Sequence, residues 1–135
     1  MEGKMDIRKH VTLVGAIHIG FGILGLLAAF IVILVLVGTG FLVLSIEGDE
    51  LPLRIMTGIA VFVALLLAIF SVPEIIGGIG VLKLKNWARY LTLIIAVFNL
   101  FNVPIGTIVG FYTFWVLMQD EAESLFTAES GVVED

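Results

Sequence analysis

A chain of 135 residues in which 60% are hydrophobic and 14% charged has the composition of a membrane protein, not of a soluble domain. The absence of cysteine excludes disulfides and thiolate metal sites. The formal charge of −5 defines no single surface, because half of the acids follow Met118 while the bases cluster elsewhere, an arrangement that argues against nucleic-acid binding.

In chain order, the first apolar run covers residues 11–37 without a charge, after Lys4, Arg8 and Lys9. It is too long for a signal-peptide core and is read as an uncleaved first span. Gly38, Thr39 and Gly40 are expected to interrupt it. The short apolar piece that follows leads into Glu47, Gly48, Asp49, Glu50 and Pro52, so residues 38–52 are expected to form an exposed outer loop. A second span is predicted over 53–82, about 45 Å if wholly helical, which exceeds a hydrocarbon core of about 30 Å and requires tilt or a kink. Pro73 supplies a candidate kink. Lys83, Lys85, Trp87 and Arg89 then form a basic, aromatic interface. Two short spans follow, over 88–101 and 105–118, joined by a turn in which Asn102 is expected to cap the fourth helix and Pro104 to enter its first turn.

Six of the seven bases lie beside the start of the first span or between the second and third. By the positive-inside rule those segments face the cytoplasm, which places both termini inside and the loop near Asp49 outside, with Arg54 as its local counterion. Trp87 and Trp115 fall near the same membrane face. The predicted fold is therefore an all-α integral membrane four-helix bundle with cytoplasmic N and C termini, a long first hairpin and a short second one. A single domain is expected over 1–126, with a mobile acidic tail over 127–135.

Small residues recur at helical spacing. Gly15, His18, Gly22, Gly25 and Ala29 share a face of the first span, and Thr57, Ala60, Ala64, Ser71, Glu74 and Gly78 share one of the second. Ala88, Thr92 and Asn99 line the third span, and Gly106, Gly110 and Thr113 the fourth. Such stripes are helix-packing seams, since helices in lipid associate by close contact. Gly106 and Gly110 could close the second hairpin or cross a second subunit.

His18 and Glu74 are ionisable residues well inside apolar runs, each nine residues from a flanking lysine and hence about 13 to 14 Å from the basic level. Asn99 and Tyr112 lie within about 2 Å of the same depth. Together the four define a possible intramembrane polar or ion site. Two readings stay open for Glu74: an ion or proton site, or a structural hydrogen-bond clasp with His18 as partner. His10 falls at the interface, where a solvated side chain is expected. No metal site, cofactor or catalytic residue is expected, because neither H-E-x-x-H nor G-x-S-x-G occurs.

The second half, through GIGVLKLKNWAR at 78–89, NLFNVPIGTIVGFYTFWVL at 99–117 and DEAESLF at 120–126, resembles a family of small bacterial four-span membrane proteins. The resemblance covers about residues 77–126 and implies a bacterial inner-membrane location. It carries no catalytic residue to transfer. The expected function is a non-enzymatic scaffold or interaction protein, a homo-oligomer in the lipid bilayer. Lys83, Lys85 and Arg89 would offer a cytoplasmic basic interface to a membrane-protein or anionic-lipid partner. The alternative is an oligomeric ion channel or proton-linked transporter built on the Glu74 and His18 layer.

Overall fold

The first charge-free run, with the charged residues that precede it, folds into one unbroken helix, α1, Glu2–Glu47, about 69 Å long. The structure, a computed structural model, describes residues 2–132, with side chains described over 6–128. It is all-α: α2 spans Leu51–Leu82, α3 Asn86–Asn99, α4 Ile105–Leu117 and α5 Asp120–Val132.

The expected break at Gly38, Thr39 and Gly40 does not occur, and the outer loop contracts from 38–52 to Gly48, Asp49 and Glu50. The penalty for glycine in a helix is about 1 kcal/mol. Opening the backbone in apolar surroundings would leave polar groups unsatisfied at several kcal/mol each. The helix therefore continues. Thr39 and Ser45 turn their hydroxyls back onto Val35 and Phe41 carbonyls at 2.7 and 2.9 Å. Gly48 ends α1 with φ +71°, and Asp49 Oδ1 accepts the Leu51 N–H at 3.0 Å to start α2. Arg54 pairs with Glu50 at 3.0 Å, both exposed.

The chain divides into two units. One is Gly22–Val72, a hairpin of the later part of α1 and the earlier part of α2. Its seam uses small residues. Gly25 lies against Ser71, leaving no room for a side chain, and a Cβ on Gly40 would sit 2.9 Å from Leu53 Cα. Ala29 and Ala60 are buried on the same stripes, whereas Leu34, Val35, Phe41, Phe62, Leu65 and Ile69 stand exposed around them.

The other unit joins the chain up to Phe21 with the chain from Pro73 onward. Helix α2 runs through Pro73 and ends with Lys85 N–H on Gly80 O at 2.9 Å and Leu84 N–H on Val81 O at 3.0 Å. This pair of bonds closes a helix around a left-handed residue, a place usually held by glycine. Here Leu84 holds it, at φ 55°, kept there by burial among Ile7, Val81 and Ala88.

Helices α3 and α4 are about 21 and 20 Å long and form a tight hairpin. Gly106 and Gly110 allow the close approach, since a Cβ would meet the Asn99 carbonyl at 2.5 Å and the Ala96 carbonyl at 2.8 Å. Both glycines thus serve the hairpin. Asn102 caps differently from expectation: its backbone carbonyl accepts the Gly106 N–H at 2.8 Å, with no side-chain cap, and Pro104 sits at the N-cap position just before the first turn.

The fifth helix was not anticipated. Ala122 and Phe126 are spaced to share a face, and both are fully buried with Ile7, Val11, Val81, Leu84, Val116 and Leu117. The stretch expected to begin a mobile tail after Thr127 continues α5 to Val132; residues 133–135 lie outside the described ones.

Among the described residues, only α1 and α2 are long and apolar enough to cross a membrane by themselves. Their most apolar windows are just 11% and 17% buried inside the protein, so its own core does not consume those surfaces. A membrane protein is compatible with this arrangement.

Candidate functional site

The register of α1 against α2 is set by two glycines. A Cβ on Gly15 would fall 2.9 Å from the Gly78 carbonyl, and one on Gly78 would fall 2.6 Å from the Gly15 carbonyl. His18 lies about one turn beyond Gly15 and Glu74 about one turn beyond Gly78, in the same direction along antiparallel helices. Their equal depth follows directly.

Depth does not bring them together. A residue advances about 100° around the helix, so His18 is rotated about 60° from Gly15, and Glu74 about 40° from Gly78. Each is carried to a different seam. His18 Nε2 hydrogen-bonds Thr113 Oγ1 on α4 at 3.2 Å, while Glu74 Oε1 accepts from Asn99 Nδ2 on α3 at 3.0 Å. The expected His18 and Glu74 clasp is replaced by two separate interhelical bonds. Tyr112 leaves the layer as well. Its hydroxyl shares a 2.7 Å hydrogen bond with His10 Nδ1, and Trp115 completes an aromatic cluster with ring centroids 5.7 Å from His10 and 6.2 Å from Tyr112.

Two residues outside the expected site thus become its partners, Thr113 and His10. Thr113 was readable as a seam residue, three positions after Gly110 on the α4 stripe. His10 was not readable from spacing, since eight positions before His18 it is rotated about 80° around α1, and the fold alone brings it to Tyr112.

Around this layer the small residues make the space. Thr92 Oγ1 is 3.0 Å from where a Gly77 Cβ would lie, and Gly80 is covered by Ala88 and Trp87. His18, Thr92 and Thr113 are at most 1% exposed. Neither His18 Nδ1 nor Thr92 Oγ1 has a hydrogen-bond partner in the protein. Gly22 is buried on α1.

The basic interface also changes membership. Lys83 and Lys85 are exposed, but Arg89 is buried at 8% and occupied: its Nε donates to the Leu117 carbonyl at 2.9 Å and its guanidinium meets Glu123 at 3.5 Å. Arg89 therefore closes the C-terminal end of α4, where carbonyls lack helical partners, and tethers α5. Its charge is committed inside the fold and is withdrawn from the interface expected of it. Among the described residues, no three of the His, Asp and Glu side chains gather as a metal site would require.

No family model, curated protein or solved structure matches this chain.

Proposed function

We propose that the chain is a non-enzymatic multi-pass protein of the bacterial inner membrane, with α1 and α2 as long spans, α3 and α4 as short ones, and both ends cytoplasmic. It acts as a scaffold or accessory that packs against other membrane helices, including further copies of itself. The observation that carries this reading is the surface of the two long helices, exposed, apolar and free of charge between Phe21 and Ile46 and between Ile55 and Val72. A surface with no acid or base, whose exposed Thr39 and Ser45 hydroxyls are turned onto backbone carbonyls, offers contact. Gly38 and Gly58 add to it, since each faces open space where a neighbouring helix backbone could approach. The distribution of bases and the resemblance of the second half support the topology and the location.

Glu74 bonded to Asn99 and His18 bonded to Thr113 favour a structural role for the polar layer. The transport reading draws its support from His18 Nδ1 and Thr92 Oγ1, buried polar atoms that no protein group satisfies. Purified protein in liposomes loaded with a pH-sensitive dye discriminates the two. The scaffold reading expects no proton or cation flux above empty liposomes, and cross-linked oligomers that diminish in Gly38→Leu and Gly58→Leu. Flux abolished by Glu74→Gln would overturn it in favour of transport. For topology, a cysteine at Asp49 should label from outside only.

A further inference from the structure

Ile7 and Val11 of α1 are buried in the same cluster as Val81, Leu84 and Ala88, which brings Arg8, next to Ile7, to the same end of the unit as Lys85, next to Leu84. Lys9 and Lys83 adjoin them. All four side chains are exposed, and none takes part in the ion pairs among the described residues, which are Arg54 with Glu50 and Arg89 with Glu123. The nearest base that is occupied, Arg89, is the one turned inward. Two exposed tryptophans are tied to these elements: Trp87 packs on Gly80 two residues after Lys85, and Trp115 stacks edge-on against His10, next to Lys9. Acids at this end are accounted for separately. Asp120, Glu121 and Glu123 form the first turn of α5, where the helix dipole holds negative charge, and Glu123 is spent on Arg89. Among the described residues, Asp6 is the remaining exposed acid in this part of α1.

From this juxtaposition we infer that Arg8, Lys9, Lys83 and Lys85 form a binding site for the phosphate headgroup of an anionic phospholipid, with Trp87 and Trp115 at its margins. The inference rests on the membrane reading above and names the lipid class that the basic end selects. Unpaired bases supply the charge, indole rings occupy the headgroup level, and the exposed apolar flanks of α1 and α2 continue into the acyl region. One base at an anionic surface is worth about a fivefold preference, so four in partial contact should give an affinity several-fold above that for a zwitterionic lipid.

The tryptophans make the site directly readable, since the chain has only two. Full-length protein is reconstituted in bilayers doped with phosphatidylglycerol or phosphatidylcholine, each brominated high on the acyl chain, and fluorescence quenching is compared. Quenching several-fold more effective by the brominated phosphatidylglycerol is the expected result. It should fall to parity when all four bases are neutralised, in Arg8→Gln, Lys9→Gln, Lys83→Gln, Lys85→Gln, and persist in Lys83→Arg, Lys85→Arg, with phosphatidylcholine quenching unchanged in both. Equal quenching of the wild-type protein by the two lipids would overturn the site while leaving the membrane reading intact. A preference that survives neutralisation of all four bases would overturn the assignment to these residues. No quenching by either lipid would overturn the membrane reading together with the site.

Discussion

Asn99 Nδ2 donates to Glu74 Oε1 across 3.0 Å, joining the last turn of α3 to α2 just after Pro73. The proline removes a backbone donor from α2 at that point, and the side-chain bond ties the same stretch to a neighbouring helix. Interhelical side-chain bonds in membranes contribute about 0.6 kcal/mol on average and up to about 1.7. A double-mutant cycle with Glu74→Ala and Asn99→Ala should give a coupling in that range, measured by unfolding in mixed micelles. Glu74→Gln, which keeps the acceptor oxygen, should fold nearly normally. Zero coupling would remove the bond from the account.

Gly15 and Gly78 should tolerate nothing larger. A Cβ at either meets the facing backbone carbonyl, and backbone cannot retreat as a side chain can. Gly15→Ala and Gly78→Ala are each expected to destabilise the fold by about 1 to 3 kcal/mol. Gly38→Ala and Gly58→Ala face open space and should instead raise thermal stability in detergent, by up to about 1 kcal/mol from helix propensity. Equal behaviour of the two pairs would refute the assigned register.

Phe126 is fully buried in the core that α5 covers. Its replacement by alanine should cost about 3 to 5 kcal/mol if the helix stays docked. Release of α5 sets a lower ceiling, because the helix is joined to α4 by a short turn at Met118 and Gln119 and can detach alone. The measurable outcome is faster hydrogen exchange over α5 and new protease cleavage near Gln119, with α3 and α4 protected as before. Leu125→Ala, at a partly buried position, should have a smaller effect.

Arg89→Ala should be more damaging than Glu123→Gln. The first strands the Leu117 carbonyl without its donor at a buried position, a loss of about 1 to 3 kcal/mol. The second removes one side of a 3.5 Å ion pair whose carboxylate is half exposed, a change screened by solvent to less than about 1 kcal/mol. Arg89→Lys keeps charge but cannot reproduce both contacts, and should fall between them in thermal unfolding.

The sequence by itself determined the all-α class, the two long apolar helices, the short α3 and α4 pair and the common level of His18 and Glu74 along α1 and α2. Each of these follows from one-dimensional quantities: run length, the spacing of small residues and the rise per residue. Burial of Gly15, His18, Ala60, Ser71 and Gly78 on their stripes follows from helical period alone. What only the tertiary structure decided is rotation and neighbourhood. Depth could not say that His18 turns to Thr113 and Glu74 to Asn99, because that depends on how each helix is rotated about its axis by contacts such as Gly15 against Gly78. Nor could composition show that Gly38, Thr39 and Gly40 stay helical, since glycine breaks a helix only where something else satisfies the backbone. The acidic stretch after Met118 read as a tail because it holds six acids, no base and no long apolar run. It folds as α5 because Ala122 and Phe126, four residues apart, meet a core that Arg89 helps hold in place.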